Sequence, residues 1–556
     1  MRARCLAALL AAFVLVAACT NDGPDDVDEA RPFPEPNFTA PEIAQVTDPA
    51  GGWLEASCEL APEILERSLR GHKDGRSPDV LVVPRFPNFF GGFIQTGHSG
   101  PWDYLQEVPL VFYGPGFIKP LGRYEPKDEV TVADVVPTLA ELIGTESPDV
   151  AGKSLSNILV PEAKRDGPPK LVLEVVWDGG GTNVLETWPD FWPELGKLME
   201  GGASPEGAIV GSSPSVTPAT HTTLGTGVFP DQHGATSITI RVDGAITDSF
   251  KGKDSDYVDV PMFADTYDVA TGNAAKIGMF AYKSWHLGMM SHGSNWPGGD
   301  KDMAVFLNPA EEYETNPDLY YMPPGLEKVP GLQKAVREID LLDGERDKTW
   351  MGHDVLGSKR YRRDTPVWVL HQTNILKELI TREGFGADDV TDLFFTNYKQ
   401  PDEAGHNWNM LSPEVAETIE YSDGELKKLV DFLNEQVGER EWVMIVTADH
   451  GQQPDAEATH GWPIFMTELV ADLAEHVGIP DSEIEGTAAG MFILQEGVSY
   501  DQVAEFLVDY RIEDNTPEGR DDIPEQYADR MQEPIFEAAF PADAADRVSG
   551  CVASRA

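Results

Sequence analysis

The chain has 556 residues, 41% of them hydrophobic and 9% aromatic. That is enough to bury a large core, and it excludes the low-hydrophobicity profile of a disordered chain. Lys and Arg number 42 against 94 Asp and Glu, a formal charge of −52, which argues against duplex nucleic acid or an anionic membrane surface as a partner, because both need basic patches. An anionic substrate would have to be attracted locally, and bound divalent cations are a source of such a field.

The N-terminus reads as an export signal. Arg2 and Arg4 precede an apolar run from Leu6 to Val16 that is too short for a permanent membrane span. Val16-Ala17-Ala18-Cys19 resembles a bacterial lipobox. Residues 1–19 would then be a signal peptide, and Cys19 the lipidated first residue of an extracytoplasmic envelope protein attached to the membrane through that lipid. The acidic, Pro-rich stretch 20–50 reads as a flexible tether. Cys5 leaves with the signal, so Cys58 and Cys551 remain; in an oxidising compartment two such cysteines suggest a disulfide.

Further on, short apolar runs end abruptly in Gly, Pro, Asp or His: DVLVVPRF from Asp79, VPLVFYGPG from Val108, KLVLEVVWDGGG from Lys170, KIGMFAY from Lys276, DLFFTNYKQPD from Asp392 and EWVMIVTADHG from Glu441. Their length and their β-branched and aromatic content predict strands buried on both faces of a parallel sheet. Helical patterns lie between them. Thr131 to Ile143 is closed by Gly144, and Ser412-Pro413 opens a second helix continued by Leu426, Leu429, Val430 and Leu433. The alternation predicts a doubly wound α/β sandwich with a mostly parallel central sheet.

In such a fold ligands bind beyond the carboxyl ends of the strands. Asp178 follows one run, Asp402 and His406 another, and Asp449-His450 a third. Any one of these Asp residues reads equally well as a turn or helix cap, but three strand ends carrying Asp or His together point to a site. Hydrolysis of a phosphate ester needs charge neutralisation, an activated nucleophile and help for the leaving oxygen, and two metals about 3.5–4 Å apart supply all three. A mixed Asp/His ligand set fits zinc. Thr217, followed by Pro218, is expected at the N-cap of a helix whose first-turn N–H groups would attract phosphate. On its own, Thr217 could equally be no more than a cap. His221, one turn on, is read as a support rather than a ligand.

The runs VVWDGGG, PSVTPATHTTLGTGVFPDQHG, PDEAGH and TADHG together resemble the alkaline phosphatase superfamily, in its type I phosphodiesterase/nucleotide pyrophosphatase branch. The resemblance implies an α/β/α sandwich and a hydrolase of small phosphate esters with two divalent metals, zinc foremost. It places Asp178, Thr217, Asp449 and His450 on one metal and Asp402, His406 and a further His on the other. It also implies attack by Thr217 on phosphorus and a phosphothreonine intermediate.

The order of parts departs from the family. TGHSGPWDYLQEVPLVFYGPG resembles the family's late segment but stands near the N-terminus, which reads as a circular permutation. His98 would then supply the last ligand, with His460 in ATHGWP as its rival. Residues 51–163 would be the permuted segment of the catalytic domain and 164–556 its main part, and the Cys58–Cys551 disulfide is expected across the old junction. The stretch 284–364, with Trp285, His286, His292 and Trp296, reads as an inserted cap-like region whose aromatics pack or stack on a substrate. A sulfatase is disfavoured because neither remaining cysteine lies in a CxPxR-like setting. A phosphoryl transferase would usually bring membrane spans, and an inactive lipid-anchored binding protein is the reading from another class.

Overall fold

The computed structural model describes residues 33–43, 51–92, 96–486, 492–494, 497–517 and 523–555. The signal and lipobox readings, Cys5 and Cys19 included, lie outside them. No helix among the described residues is long and apolar enough to cross a membrane.

A nine-stranded sheet organises the chain. Across it the strands run Tyr313–Glu314, Met303–Leu307, Ile277–Ala281, Asp392–Tyr398, Leu171–Trp177, Trp442–Thr447, Leu110–Tyr113, Ala203–Pro205 and Gly122–Tyr124. The five from Met303–Leu307 to Trp442–Thr447 are mutually parallel. The continuous apolar runs have a simple cause: every residue of Leu171–Trp177, Asp392–Tyr398 and Trp442–Thr447 is buried. Val172 and Val176 pack with the Val135–Ile143 helix and with Leu224 on one face. Leu173, Val175 and Trp177 pack on the other with the Pro193–Gly201, Pro366–Glu383 and Pro413–Leu433 helices. Helices on both faces of a mostly parallel sheet make the α/β sandwich.

Two predicted strands differ from expectation. Leu110–Tyr113 joins the central sheet antiparallel to Trp442–Thr447, with Leu110 opposite Thr447. Val80–Pro84 lies in a separate four-stranded antiparallel sheet, between Phe492–Leu494 and Phe536–Pro541. Leu81 and Val82 are only partly buried there, and an apolar run alone does not say which sheet it enters. This sheet has its own apolar cluster, including Trp53, Ile64, Val503, Leu507, Phe536 and Val548. Cys58 and Cys551 are disulfide-bonded beside it, with Cα atoms 5.5 Å apart and a sequence separation of 493.

Part of the expected tether is packed against the body. Phe33 stacks on Phe191 at 5.8 Å, and the Asn37 backbone N–H donates to the Thr187 carbonyl. The stretch 284–364 contributes more than a cap, since two strands of the central sheet, Met303–Leu307 and Tyr313–Glu314, fall inside it.

Candidate active site

Strand register sets the site. Tyr398 pairs with Trp177, and Thr447 pairs with Val176. Three adjacent parallel strands therefore end level, and the residues just beyond them share one edge. Asp178 follows the first, and Asp449-His450 follow the third after Ala448. Asp402 and His406 sit one turn apart on the Gln400–Trp408 helix that follows Asp392–Tyr398. His98 reaches the same edge by the opposite logic: it precedes a strand that runs antiparallel, so the start of Leu110–Tyr113 lies where its neighbours end. Close approach of these loops requires glycine at residue 179, where φ is +67° and a Cβ would stand 2.8 Å from the Asp402 Cα.

Thr217 is the first residue of the Thr217–Thr226 helix, and Val216 takes the N-cap place expected for Thr217. The helix is buried along its whole length. Its Thr217 Oγ1 lies 3.1 Å from the Nζ of Lys399, the residue just after the Asp392–Tyr398 strand. The same ammonium donates to Asp178 Oδ1 and Asp402 Oδ2, each at 2.6 Å, so all three of its hydrogens are engaged. Burial opposes the Lys399 charge, but Asp178, Asp402 and Asp449 outweigh it and hold its pKa above the ordinary lysine value. Burial likewise pushes Asp178 and Asp402 up, and the cationic neighbours, Lys399 among them, more than reverse this. Asp449 shows the net opposite: burial, then repulsion from Asp178, raises its carboxyl.

The imidazoles are fixed by the backbone. Nδ1 of His98, His406, His450 and His286 faces the carbonyl of Ser215, Thr96, Gly451 and Lys283 respectively, at 2.8–3.1 Å. A carbonyl only accepts, so Nδ1 carries a proton in each ring and Nε2 presents a lone pair when the ring is neutral; in His406 burial lowers the imidazole but Asp402 more than reverses this, to about 9, so a cation there would displace a proton from Nε2. Those lone pairs face carboxylates. His98 and His406 Nε2 lie 3.7 and 3.3 Å from Asp402 Oδ1, and His450 Nε2 lies 3.6 Å from Asp178 Oδ1 and 3.4 Å from Asp449 Oδ2. Asp402 Oδ1, Asp449 Oδ2 and His450 Nε2 are buried without a hydrogen-bond partner. Acceptors facing acceptors, with proton-bearing nitrogens turned away, fit divalent cations. In two groups, His98/Asp402/His406 and Asp178/Asp402/His450, one ligand atom from each residue lies within 4.8 Å of the others. The backbone carbonyls supply the outer hydrogen bonds that metal-binding histidines need.

His460 is elsewhere. It is exposed, ends the Ala456–Thr459 helix in a left-handed conformation, and turns its carbonyl to Arg530. Three residues near the cluster were not singled out as site residues from the sequence. Besides Lys399, Asn397 donates to Asp178 Oδ2 at 2.8 Å and to His221 Nε2 at 2.9 Å. The His286 Nε2 lies 3.9 Å from Asp178 Oδ2. Asn397 and Lys399 could have been found by the strand-end rule that found Asp178; His286, in the 284–364 stretch, had no such signal. His221 donates from Nδ1 to the Thr217 carbonyl and so braces the start of the helix.

Below Asp178 on the same strand, Glu174 is 1% exposed and neither of its carboxylate oxygens has a partner. Burial pushes its carboxyl up to about 8 from 4.5. Between those values the unfolded chain loses the proton that the folded chain keeps, so stability falls as pH rises through this window. Glu174→Gln is expected to remove that dependence. Its unfolding free energy should exceed that of the parent by an amount that grows from pH 5 to pH 8, up to roughly 4 kcal/mol, with the melting temperature rising accordingly. Thermal unfolding across that range, with a difference independent of pH, would contradict the assignment.

An α/β protein with carboxylates, imidazoles and a helix-borne threonine at the carboxyl edge of its central sheet is built for anionic-group chemistry. The chain belongs to the type I phosphodiesterase/nucleotide pyrophosphatase family, which matches residues 172–540; His98 lies ahead of that span. It is 29% identical over 103 residues to alkaline phosphatase PafA of Elizabethkingia meningoseptica, which is 18% of this chain and 19% of that protein. The match thus spans about a fifth of the curated relative. Among solved structures, wild-type PafA aligns at TM-score 0.48 with 16% identity, covering 67% of this chain and 84% of that one. Murine ectonucleotide pyrophosphatase/phosphodiesterase 5, an inactive variant in complex with AMP, aligns at 0.33 with 17% identity, covering 67% and 78%.

Proposed function

We propose that this protein hydrolyses phosphate esters through Thr217, outside the cytoplasm and anchored by a lipid on Cys19. One observation carries the reading: the Thr217 hydroxyl, at the head of a buried helix, sits beside a fixed ammonium and two clusters of carboxylates and imidazoles in which Asp402 Oδ1, Asp449 Oδ2 and His450 Nε2 are left without a hydrogen-bond partner. Membership of the family supports the ester class.

Asp178, Asp449 and His450 with Thr217 would hold one divalent ion, and Asp402, His406 and His98 the other, zinc being favoured by the mixed nitrogen and oxygen donors. Such ions supply Lewis-acid neutralisation of the phosphoryl oxygens and of the developing alkoxides. The chain's own groups do the rest. Thr217 Oγ1 gives up its proton and bonds to phosphorus as the ester oxygen departs with the P–O electron pair and takes up a proton from solvent, and water then adds to phosphorus, restoring the Thr217 hydroxyl and releasing phosphate from a monoester or a phosphomonoester from a diester. The helix start turns unpaired N–H groups and the positive dipole end toward the incoming phosphoryl group. Lys399 holds the hydroxyl in place through the 3.1 Å contact. With His98 as a ligand lying ahead of the family-matched span, the order of parts reads as permuted.

The metal-replete protein should hydrolyse at least one of bis-p-nitrophenyl phosphate, p-nitrophenyl phosphate and a nucleotide ester, lose that activity on chelation and regain it with zinc. No turnover of any of the three would overturn the proposal and favour a binding protein. The last ligand has its own test. His98→Ala is expected to lose one bound ion by elemental analysis, whereas His460→Ala keeps its full complement; a full complement in His98→Ala would remove His98 from the set.

A further inference from the structure

A second group of carboxylates lies outside the proposed catalytic centre. Asp268 stands in the last turn of the Phe263–Ala270 helix, and Asp300 and Asp302 lead into the Met303–Leu307 strand. One ligand oxygen from each lies within 4.8 Å of the others. On a chain of charge −52 acidic clustering alone defines nothing, because a solvated acidic face produces it too.

Two further features separate this cluster from such a face. Asp268 is only 3% exposed, and its Oδ1 has no hydrogen-bond partner. A buried carboxylate oxygen left unpaired is costly unless something positive meets it. Among the described residues no Lys, Arg or His pairs with Asp268, Asp300 or Asp302; Lys301, between the latter two, turns instead to the Pro317 carbonyl. Asp265, the nearest further carboxylate, is already engaged by the N–H groups of Met262 and His292 and by the His292 ring. Asp302 is buried as well, with one oxygen accepting from Ser291 Oγ. The negative end of the helix dipole adds to the same field. Burial, reinforced by the other carboxylates, raises Asp302 well above the usual range and Asp268 to about 6.

We propose that Asp268, Asp300 and Asp302 bind a hard divalent cation of the calcium type. An all-oxygen, three-carboxylate donor set selects such an ion over the zinc expected where imidazoles contribute. Exposed Asp300 gives the ion a way in from solvent, and buried Asp268 and Asp302 fix it from within. The site closes a loop of function as well as of chain. Between Asp268 and Asp300 runs the segment that carries the Ile277–Ala281 strand and His286, which faces Asp178.

The test titrates the zinc-loaded mature chain with calcium chloride by calorimetry and thermal unfolding, in about 0.5 M KCl to screen diffuse binding to the acidic surface, with terbium luminescence as a second probe. One saturable calcium site per chain is expected, with a rise in melting temperature. Asp300→Asn, exposed and so tolerated by the fold, should weaken calcium binding by about tenfold or more while zinc content stays unchanged. Asp268→Asn should abolish it. The proposal falls if no saturable site is found, or if Asp300→Asn and Asp268→Asn bind calcium as the parent does. It falls also if Asp268→Asn is more stable than the parent in saturating calcium, since shared protons rather than a cation would then settle the cluster.

Discussion

Thr217→Ala is expected to lower ester hydrolysis at least about a thousandfold, with a melting temperature close to that of the parent and zinc still held by the three remaining ligands, Asp178, Asp449 and His450. The size follows from the step removed: without Oγ1 there is no atom to receive the phosphoryl group, and what remains is binding and electrostatic stabilisation of slow attack by water. The fold should tolerate the change. The helix N-cap is Val216 rather than Thr217, and Pro218 follows at the second helical position, so no capping bond is lost. Thr217→Ser, which keeps the oxygen, should retain measurable turnover and still yield an acid-stable phosphoenzyme when quenched with substrate. Undiminished hydrolysis by Thr217→Ala would refute the mechanism while leaving the metal assignment open to its own measurements.

The sequence made the centre of the fold legible because the parallel strands are buried on both faces and leave unbroken apolar runs. Asp178, Asp402 and Asp449-His450 stood out because those runs stop where the polar residues begin. The same signal misplaced Val80–Pro84, since hydrophobicity reports burial and not the partner strand; its partly exposed Leu81 and Val82 belong to a smaller sheet. Direction is equally silent in composition. Nothing in VPLVFYG says that it runs antiparallel to its neighbour, yet that reversal is what brings residues before the strand, His98 among them, to the carboxyl edge of the parallel strands.

Charge sign hid the remaining piece. Metal ligands are Asp, Glu, His and Cys, and Lys399, a lysine just after a strand, carries no such mark in the sequence. Its position two residues before Pro401 places it by the same strand-end rule, but only three dimensions show its ammonium lying between Asp178 and Asp402. His286 was hidden differently: its ring comes from a 3-10 turn after Ile277–Ala281, and no local pattern distinguishes it from a packed histidine.

Lys399→Met tests that hidden piece. Methionine matches the side chain in length and apolar body but leaves Asp178 and Asp402 buried without their shared counter-charge. Breaking a buried ionic cluster from one side costs about 3–5 kcal/mol, so the metal-free variant should melt well below the parent. Added zinc would neutralise the same carboxylates and recover most of that loss. Activity should not follow. The contact from Lys399 to Thr217 Oγ1 is a hydrogen bond from a charged donor, worth about 1.5–3 kcal/mol, which corresponds to roughly ten- to a hundredfold in kcat if it serves the reacting hydroxyl. The zinc-loaded variant should therefore show near-parental stability and KM with kcat reduced by that factor, and Lys399→Arg should fall between the two. If kcat recovers together with the melting temperature, Lys399 is only a structural counter-ion and the orientation of Thr217 comes from its helix and the bound ions alone.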